Sequence, residues 1–431
     1  MMIRKLIYGD SNLRKFINKI INKNKELEVG IENEVEKILQ QVKRKGDKAL
    51  LLYAKKFDKC KIKKNEIKIT KSEINKFAKK CPRDIAKILN FAASRISKFH
   101  KHQLPKNYKN KDKKGILLGF KWTPISSIGI YVPGGTAIYP STILMNSIPA
   151  RIAGVKKIVM AIPQKDKDLN PIIAKAAQIG GVDEIIRIGG AHSIAGLAWG
   201  TESINPVDKI VGPGNIYVTI AKKKIFGEVG IDMLAGPSEI LVIADKKNNP
   251  EWIAADLLSQ AEHDINSRSI LITNNSFFGR EVLKSISLIL KSLPRAKIAS
   301  QSWKKNGAII ILKNFSNVHK IINEISPEHL ELAIDKPEFL LDKIQNAGSI
   351  FLGKYTPEAI GDYVAGPNHV LPTGRTARFS SGLGVMDFLK KITFTKCSKK
   401  SLQFVSNQAI KLAEVEGLHG HAFSINIRNK T

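Results

Sequence analysis

Residues Ile125 to Pro140 read ISSIGIYVPGGTAIYP, a short β-branched run that breaks into a Pro-Gly-Gly turn. Up to this point the chain is dominated by helical periodicity, as in VEKILQQVKRKGDKALLLYAKKF (Val35–Phe57), where apolar residues recur at three-and-four spacing between charges. From Ile125 onward short apolar runs alternate with amphipathic stretches: KKIVMAI, EIIRIG, DKIVG, EILVIAD, RSILITN and GAIIIL follow in order. Strands alternating with helices predict βαβ units and parallel sheets, so the fold class is α/β. Seven such strands reach Leu312, with an interruption at GIDMLAGPSE (Gly230–Glu239). Two sheets are therefore expected, the first over about Tyr131 to Pro237 and the second from Glu239 onward, which is also expected to recruit the N-terminal helices.

A chain of 431 residues is long enough for two or three cores. No apolar run reaches the roughly 18 residues of a membrane span, and the basic N-terminus lacks the apolar core of a secretory signal, so the expected location is the cytoplasm. Cys60, Cys81 and Cys397 are far apart in lysine-rich surroundings and read as incidental surface thiols, neither a disulfide framework nor a zinc cluster. The formal charge of +32 raises nucleic-acid binding. The lysines are spread along the whole chain beside Asn and Ile, however, as in INKIINKNK and KNYKNKDKK, and the reading is of solvated lysines with no specific nucleic-acid partner.

Three glycine turns, YVPGGTAIYP, IGGAHSIAG and VGPGN, each follow a predicted strand. At the carboxyl ends of parallel strands such turns let backbone N–H groups approach a ligand, and the next helix offers its N-terminus to a phosphate. No G-x-G-x-x-G follows any strand, and any one of these turns taken singly is equally an ordinary turn. In LLSQAEHDINSR (Leu257–Arg268) a predicted helix starting after Pro250 places Gln260 and His263 on one face and turns Glu262 away. Two ligands alone do not make a metal site. SPEHLELAI (Ser326–Ile334) reads as a half-buried strand opening on adjacent Glu328 and His329, a usable acid–base pair. AIGDYVAGPNHVLPTGRTAR carries Asp362 and His369 in a long polar loop, and AEVEGLHGHAF carries Glu416, His419 and His421 near the C-terminus, after a helix expected to end near Gly417. His100, His102 and His319 lie outside these groups.

The run IDMLAGPSEILVIADKKNNPEWIAADLLSQAEHD (Ile231–Asp264) closely resembles the signature of the histidinol dehydrogenase family. YVPGGTAIYPST, VGPGN, SPEHLEL, GDYVAGPNHVLPTGRTARFSSGL and EGLHGH follow that family's order, so the resemblance spans nearly the whole chain. It implies one Zn2+ per subunit, held by Gln260, His263, Asp362 and His421, the last supplied across a homodimer. It implies Glu328 and His329 as the catalytic pair, and substrate contacts at Ser238, Gln260, His263, His329, Asp362, His369, Glu416 and His421. NAD+ contacts fall on Tyr131, His192 and Asn215, where His192 departs from the family's usual glutamine. An imidazole cannot both donate and accept from one amide-like end. His419 is set aside, because the family spacing from Glu416 selects His421.

The implied reaction is the last step of histidine biosynthesis, oxidation of L-histidinol to L-histidine through L-histidinal with two NAD+ per turnover. The expected fold is two incomplete, Rossmann-like parallel-sheet domains with a helical N-terminal segment and a C-terminal helical tail. Residues 1–25 form that segment, 26–130 with 239–380 a discontinuous catalytic domain, 131–238 the NAD-binding domain, and 381–431 a helix and tail contacting the partner subunit. No cysteine adjoins a glycine turn or a histidine motif, which favours water over a thiohemiacetal in the aldehyde step. Two rival readings are a zinc hydrolase, which needs no nucleotide crevice, and a basic nucleic-acid-binding protein, whose binding would depend steeply on salt.

Overall fold

A computed structural model describes residues 3–5, 14–15, 17–18, 28–134, 138–164, 168–234 and 236–429. Two six-stranded sheets dominate it. The first runs Lys68–Thr70, Glu184–Ile186, Lys157–Ala161, Ser127–Tyr131, Lys209–Val211, Gly230–Ile231, parallel throughout except for the antiparallel first pair. The second runs Ile3–Lys5, Ala308–Ile311, Arg268–Thr273, Glu239–Ala244, His329–Ala333, Ser349–Leu352 and is wholly parallel. All seven predicted strands are present, and the chain passes between the sheets inside GIDMLAGPSE. Strands such as EILVIA are buried at every position because helices cover both faces of a parallel sheet.

Several placements differ from expectation. The helices Glu28–Lys45 and Asp47–Tyr53 pack on the first sheet, not the second: Val35, Ile38, Leu39, Val42 and Leu50 share a core with Ile186, Ile188 and Leu197. Their apolar stripe needs an uncovered sheet face, and both faces of the second sheet are filled by its own helices, including Pro250–Ala261 and Val318–Ile325. What the second sheet recruits from the N-terminus is the strand Ile3–Lys5, paired with Ile309–Ile311, and the side chain of Ile17. The described part of residues 1–25 thus includes a strand, and 26–130 packs chiefly on the first sheet, touching 239–380 where Arg95 donates to the Val364 and Ala365 carbonyls at 3.1 Å and Val370 joins Leu89 and Ile96.

A third, antiparallel sheet joins Tyr108–Lys111, Leu117–Pro124 and Leu389–Lys396. KNYKNKDKK is therefore an exposed edge strand and turn rather than a plain loop. SPEHLELAI is not half-buried: His329–Ala333 lies between two parallel neighbours and is buried throughout. At the C-terminus the helix Lys399–Val415 stops where Gly417 turns left-handed (φ 72°), and the expected tail is a second helix, His419–Asn429. Cys397 is exposed, but Cys60 is buried in the core and Cys81 half-buried, so only one of the three is a surface thiol.

Candidate active site

The strands Glu239–Ala244 and His329–Ala333 pair in register, Ile240 beside His329, which brings Ser238, Glu239 and Glu328 to one end of the second sheet. Glu328 Oε2 accepts the Glu239 N–H at 2.8 Å and lies 3.6 Å from His329 Nδ1. His329 Nδ1 is 3.1 Å from the Glu239 carbonyl oxygen, an atom that only accepts, so the proton sits on Nδ1 and Nε2 carries the lone pair. Nε2 points toward carboxylates, 3.6 Å from Glu358 Oε1 and 4.0 Å from Asp362 Oδ1.

Burial decides the protonation of this pair. It lowers the His329 imidazole to about 4 against the opposing pull of Asp362, so the ring is neutral at neutral pH, with its one proton on Nδ1 and Nε2 bare. Burial likewise raises the Glu328 carboxyl well above its usual range, only partly offset by the Glu239 N–H. The result is a neutral base beside a carboxyl ready to exchange a proton, the arrangement general acid–base work requires.

Around them the helix Glu358–Tyr363 supplies Asp362, so this residue stands on a helix and not in a loop. His369 donates or accepts at two points: Nδ1 is 2.9 Å from the Asp362 carbonyl, hence protonated, and Nε2 is 3.4 Å from Thr142 Oγ1 of the first unit. The helix Pro250–Ala261 ends two residues before His263, which was expected on it; a His263 N–H to Gln260 carbonyl bond of 3.3 Å continues the turn. His263 stands close enough to His329 and His369 to disfavour their charged forms. Glu262, the carboxylate beside it, is the C-cap residue of that helix. Ser238 uses its carbonyl to pair with Arg268 N–H at 2.9 Å at the head of the strand. Glu416, His419 and His421 are exposed on the C-terminal helical pair, and among the described residues no hydrogen bond or ion pair joins them to the others.

The described residues offer one cluster of three imidazole or carboxylate ligands within 4.8 Å of one another: His329, Glu358 and Asp362. Of the four expected metal ligands it includes Asp362 alone. The Gln260 amide is nonetheless buried with Oε1 lacking a hydrogen-bond partner, as is Glu358 Oε1. Buried acceptors without donors are costly, and a cation would satisfy them. This donor set fits a divalent metal. Glu358, which motif reading passed over, lies four residues before Asp362 and so shares its helix face; burial first, then the Asp362 charge, raises it to about 8.

Tyr131, His192 and Asn215 come together at the carboxyl ends of the first sheet, lining a cavity of about 670 Å³ with Phe57, Pro163 and Tyr217. Its size and largely apolar walls suit a small-molecule ligand. The Tyr131 hydroxyl accepts the Gly190 N–H at 3.2 Å, and burial pushes its phenol up to about 12, so its own proton is retained for donation. Asn215 caps the helix Ile216–Ile225 through Val218 N–H.

Two parallel-sheet units, with a buried imidazole–carboxylate pair between metal-capable side chains and a separate ligand cavity, define an α/β enzyme built for acid–base chemistry. The histidinol dehydrogenase family profile matches residues 21–429. Histidinol dehydrogenase 1 of Nostoc sp. is 50% identical over 409 residues, spanning 95% of this chain and 94% of that protein. Histidinol dehydrogenase of Brucella abortus is 48% identical over 427 residues, 99% of each. The crystal structure of histidinol dehydrogenase from Elizabethkingia anophelis superposes with a TM-score of 0.92 at 39% identity, covering 99% of this chain and 98% of that one. The chain belongs to the histidinol dehydrogenase family and is an oxidoreductase.

Proposed function

We propose that this protein is a cytoplasmic, zinc-dependent homodimeric enzyme that oxidises L-histidinol to L-histidine through L-histidinal, using two NAD+ per turnover, as the last step of histidine biosynthesis. The observation that carries the reading is the pair His329 and Glu328, one a neutral imidazole with a bare Nε2 and the other with a raised carboxyl, at the end of the second sheet. An alcohol leaving as aldehyde must lose a proton and a hydride. His329 Nε2 takes the hydroxyl proton while Nδ1 stays anchored on the Glu239 carbonyl. Glu328, fixed by the Glu239 N–H, in its ionised form takes a proton from the water that adds to the aldehyde, and its raised carboxyl makes that form the stronger base. Once His329 Nε2 has released its first proton to solvent, it takes a hydroxyl proton of the hydrate as the second hydride leaves for the second NAD+. Such help is typically worth about 100- to 10,000-fold.

Gln260, His263 and Asp362, with His421 of the partner subunit, would hold Zn2+, with Glu358 beside them. When bound, the metal supplies a fixed positive charge that orients the amine and imidazole of the substrate. Ser238, His369 and Glu416 complete the substrate contacts. Tyr131, His192 and Asn215 bind the dinucleotide, which supplies the hydride acceptor. The self-association reading is supported by the exposure of His421 together with Ile392, Phe394, Leu412, Val415 and Phe423. Counting NADH formed per histidinol consumed, with Zn2+ present, tests the proposal: two is expected, and none would overturn it.

A further inference from the structure

The segment Ala54–Asp58 winds as a single π-helical turn closed by Lys59 in the left-handed region, and it carries Phe57, Asp58 and Lys59 to the wall of the 670 Å³ cavity. Such turns are rare inside helices and recur at functional sites. Here the turn aims one carboxylate at the glycine turn of the first sheet. Asp58 Oδ2 accepts the Gly189 N–H at 2.9 Å and lies 3.1 Å from His192 Nε2. Both side chains are buried, 8% and 1% exposed. Tyr53 and Phe57 stack on each other, centroids 5.6 Å apart, and flank the imidazole at 5.8 and 6.2 Å.

Two consequences follow from ordinary hydrogen-bond chemistry. The Gly189 and Gly190 N–H groups, which a glycine turn ordinarily offers to a phosphate, are taken by Asp58 and by the Tyr131 hydroxyl. A buried carboxylate at that helix N-terminus also disfavours an anion there. Meanwhile Asp58 accepts from Nε2, so a neutral His192 keeps its proton on Nε2 and presents Nδ1 as a pure acceptor. The Asp58 contact orients the imidazole by favouring a protonated nitrogen toward the carboxylate, with Tyr53 and Phe57 tilted against the ring at 42° and 39°.

We infer that Asp58 is a positioning residue for the cofactor site: by fixing the tautomer and plane of His192 it makes this imidazole, in place of an amide, an acceptor for a hydroxyl or amide N–H of the dinucleotide. This rests on the proposal that the cavity takes NAD+. The carboxylate acts through His192, so removing either group removes the same interaction.

The test is a double-mutant cycle on the zinc-loaded enzyme with histidinol saturating, read as KM for NAD+. Asp58→Ala and His192→Ala are each expected to raise that KM about 10-fold, the loss of one charge-assisted or oriented hydrogen bond, with kcat and the histidinol KM little changed. Asp58→Asn, which keeps an acceptor, should fall between Asp58→Ala and the parent. The double variant should be no worse than the more impaired single one. Independent effects that multiply, or a loss confined to kcat, would overturn the inference. Nitrogen-15 NMR of the parent protein without cofactor supplies a readout that depends neither on NAD+ turnover nor on the variants folding. A single proton on His192 Nε2 with Nδ1 bare is expected, and a proton on Nδ1, in the neutral tautomer or the imidazolium, overturns the inference. A parent enzyme that shows the expected tautomer but does not turn over NAD+ would refute the cofactor reading of the cavity instead.

Discussion

His329 and Glu328 are adjacent in the chain, yet opposite demands are met in them by one cause. Burial penalises charge on either group, so the imidazole is neutral with its one proton on Nδ1 and the Glu328 carboxylate is made a stronger base, and both meet the Glu239 backbone, His329 through the carbonyl and Glu328 through the N–H. Replacing Glu328 by Gln keeps the shape and the possibility of a bond to Glu239 N–H but removes proton acceptance. In the proposed reaction the first oxidation should then survive while the second slows by about 100- to 10,000-fold. Trapped aldehyde and an NADH yield moving from two toward one per histidinol would show this; an unchanged yield and rate would not fit. Glu358 was not legible as a site in this way, since its significance lies in a buried Oε1 that lacks a partner, as the Oε1 of the expected ligand Gln260 also does.

Among the elements, the strand Lys157–Ala161 is tied to its neighbours through Asp183. Its Oδ2 accepts the Ile158 N–H at 2.9 Å and pairs with Arg151 of the helix Pro140–Ala153, and its Oδ1 meets Lys71 Nζ of Lys71–Ala78 at 3.0 Å. Burial alone would raise this carboxyl, but the N–H, Lys71 and Arg151 outweigh it and hold it below the usual range. A depressed folded value stabilises the fold above the unfolded value near 3.8, and that contribution is lost as pH falls through the folded value. Asp183→Asn should therefore lower stability by about 1–3 kcal/mol at neutral pH. Melting curves from pH 7 down to about pH 2 should also show the gap from the parent closing at the acid end; a constant gap would contradict the linkage.

Across the whole molecule the chain cross-braces its two units. Ile3–Lys5 and Ile17 belong to the second sheet, the helices after Glu28 to the first, and Val370, Leu383, Val385 and Phe388 return to the core of the first after the second is complete. The C-terminal helices leave His421 and a run of large apolar side chains exposed, far in role from the buried ligands they are expected to join. If His421 of the partner subunit completes the site, His421→Ala and Glu328→Ala chains are each nearly unable to form histidine alone, and histidine formation is the activity to read. Coexpressed, they should recover up to about a quarter of parental activity, because half the dimers are mixed and each has one intact site. No recovery from a mixture shown to contain mixed dimers would exclude a shared site.

The alternation of apolar runs, the break at GIDMLAGPSE and the spacing of the Q-A-E-H, E-H and G-D-Y segments are local facts of the sequence, and they determined the α/β class, both sheets and most candidate residues. Periodicity also announced the N-terminal helices, but not which sheet face they cover, because an amphipathic stripe specifies that it must be buried and not against what. The third sheet joins segments some 270 residues apart, and no local signal links Leu118 to Thr395. Tertiary structure alone decided that Asp58, from a helix assigned elsewhere by sequence, would reach His192, and that His329 would be neutral with Nε2 bare. Both depend on burial and on partners distant in the chain, quantities that exist only once the fold has formed.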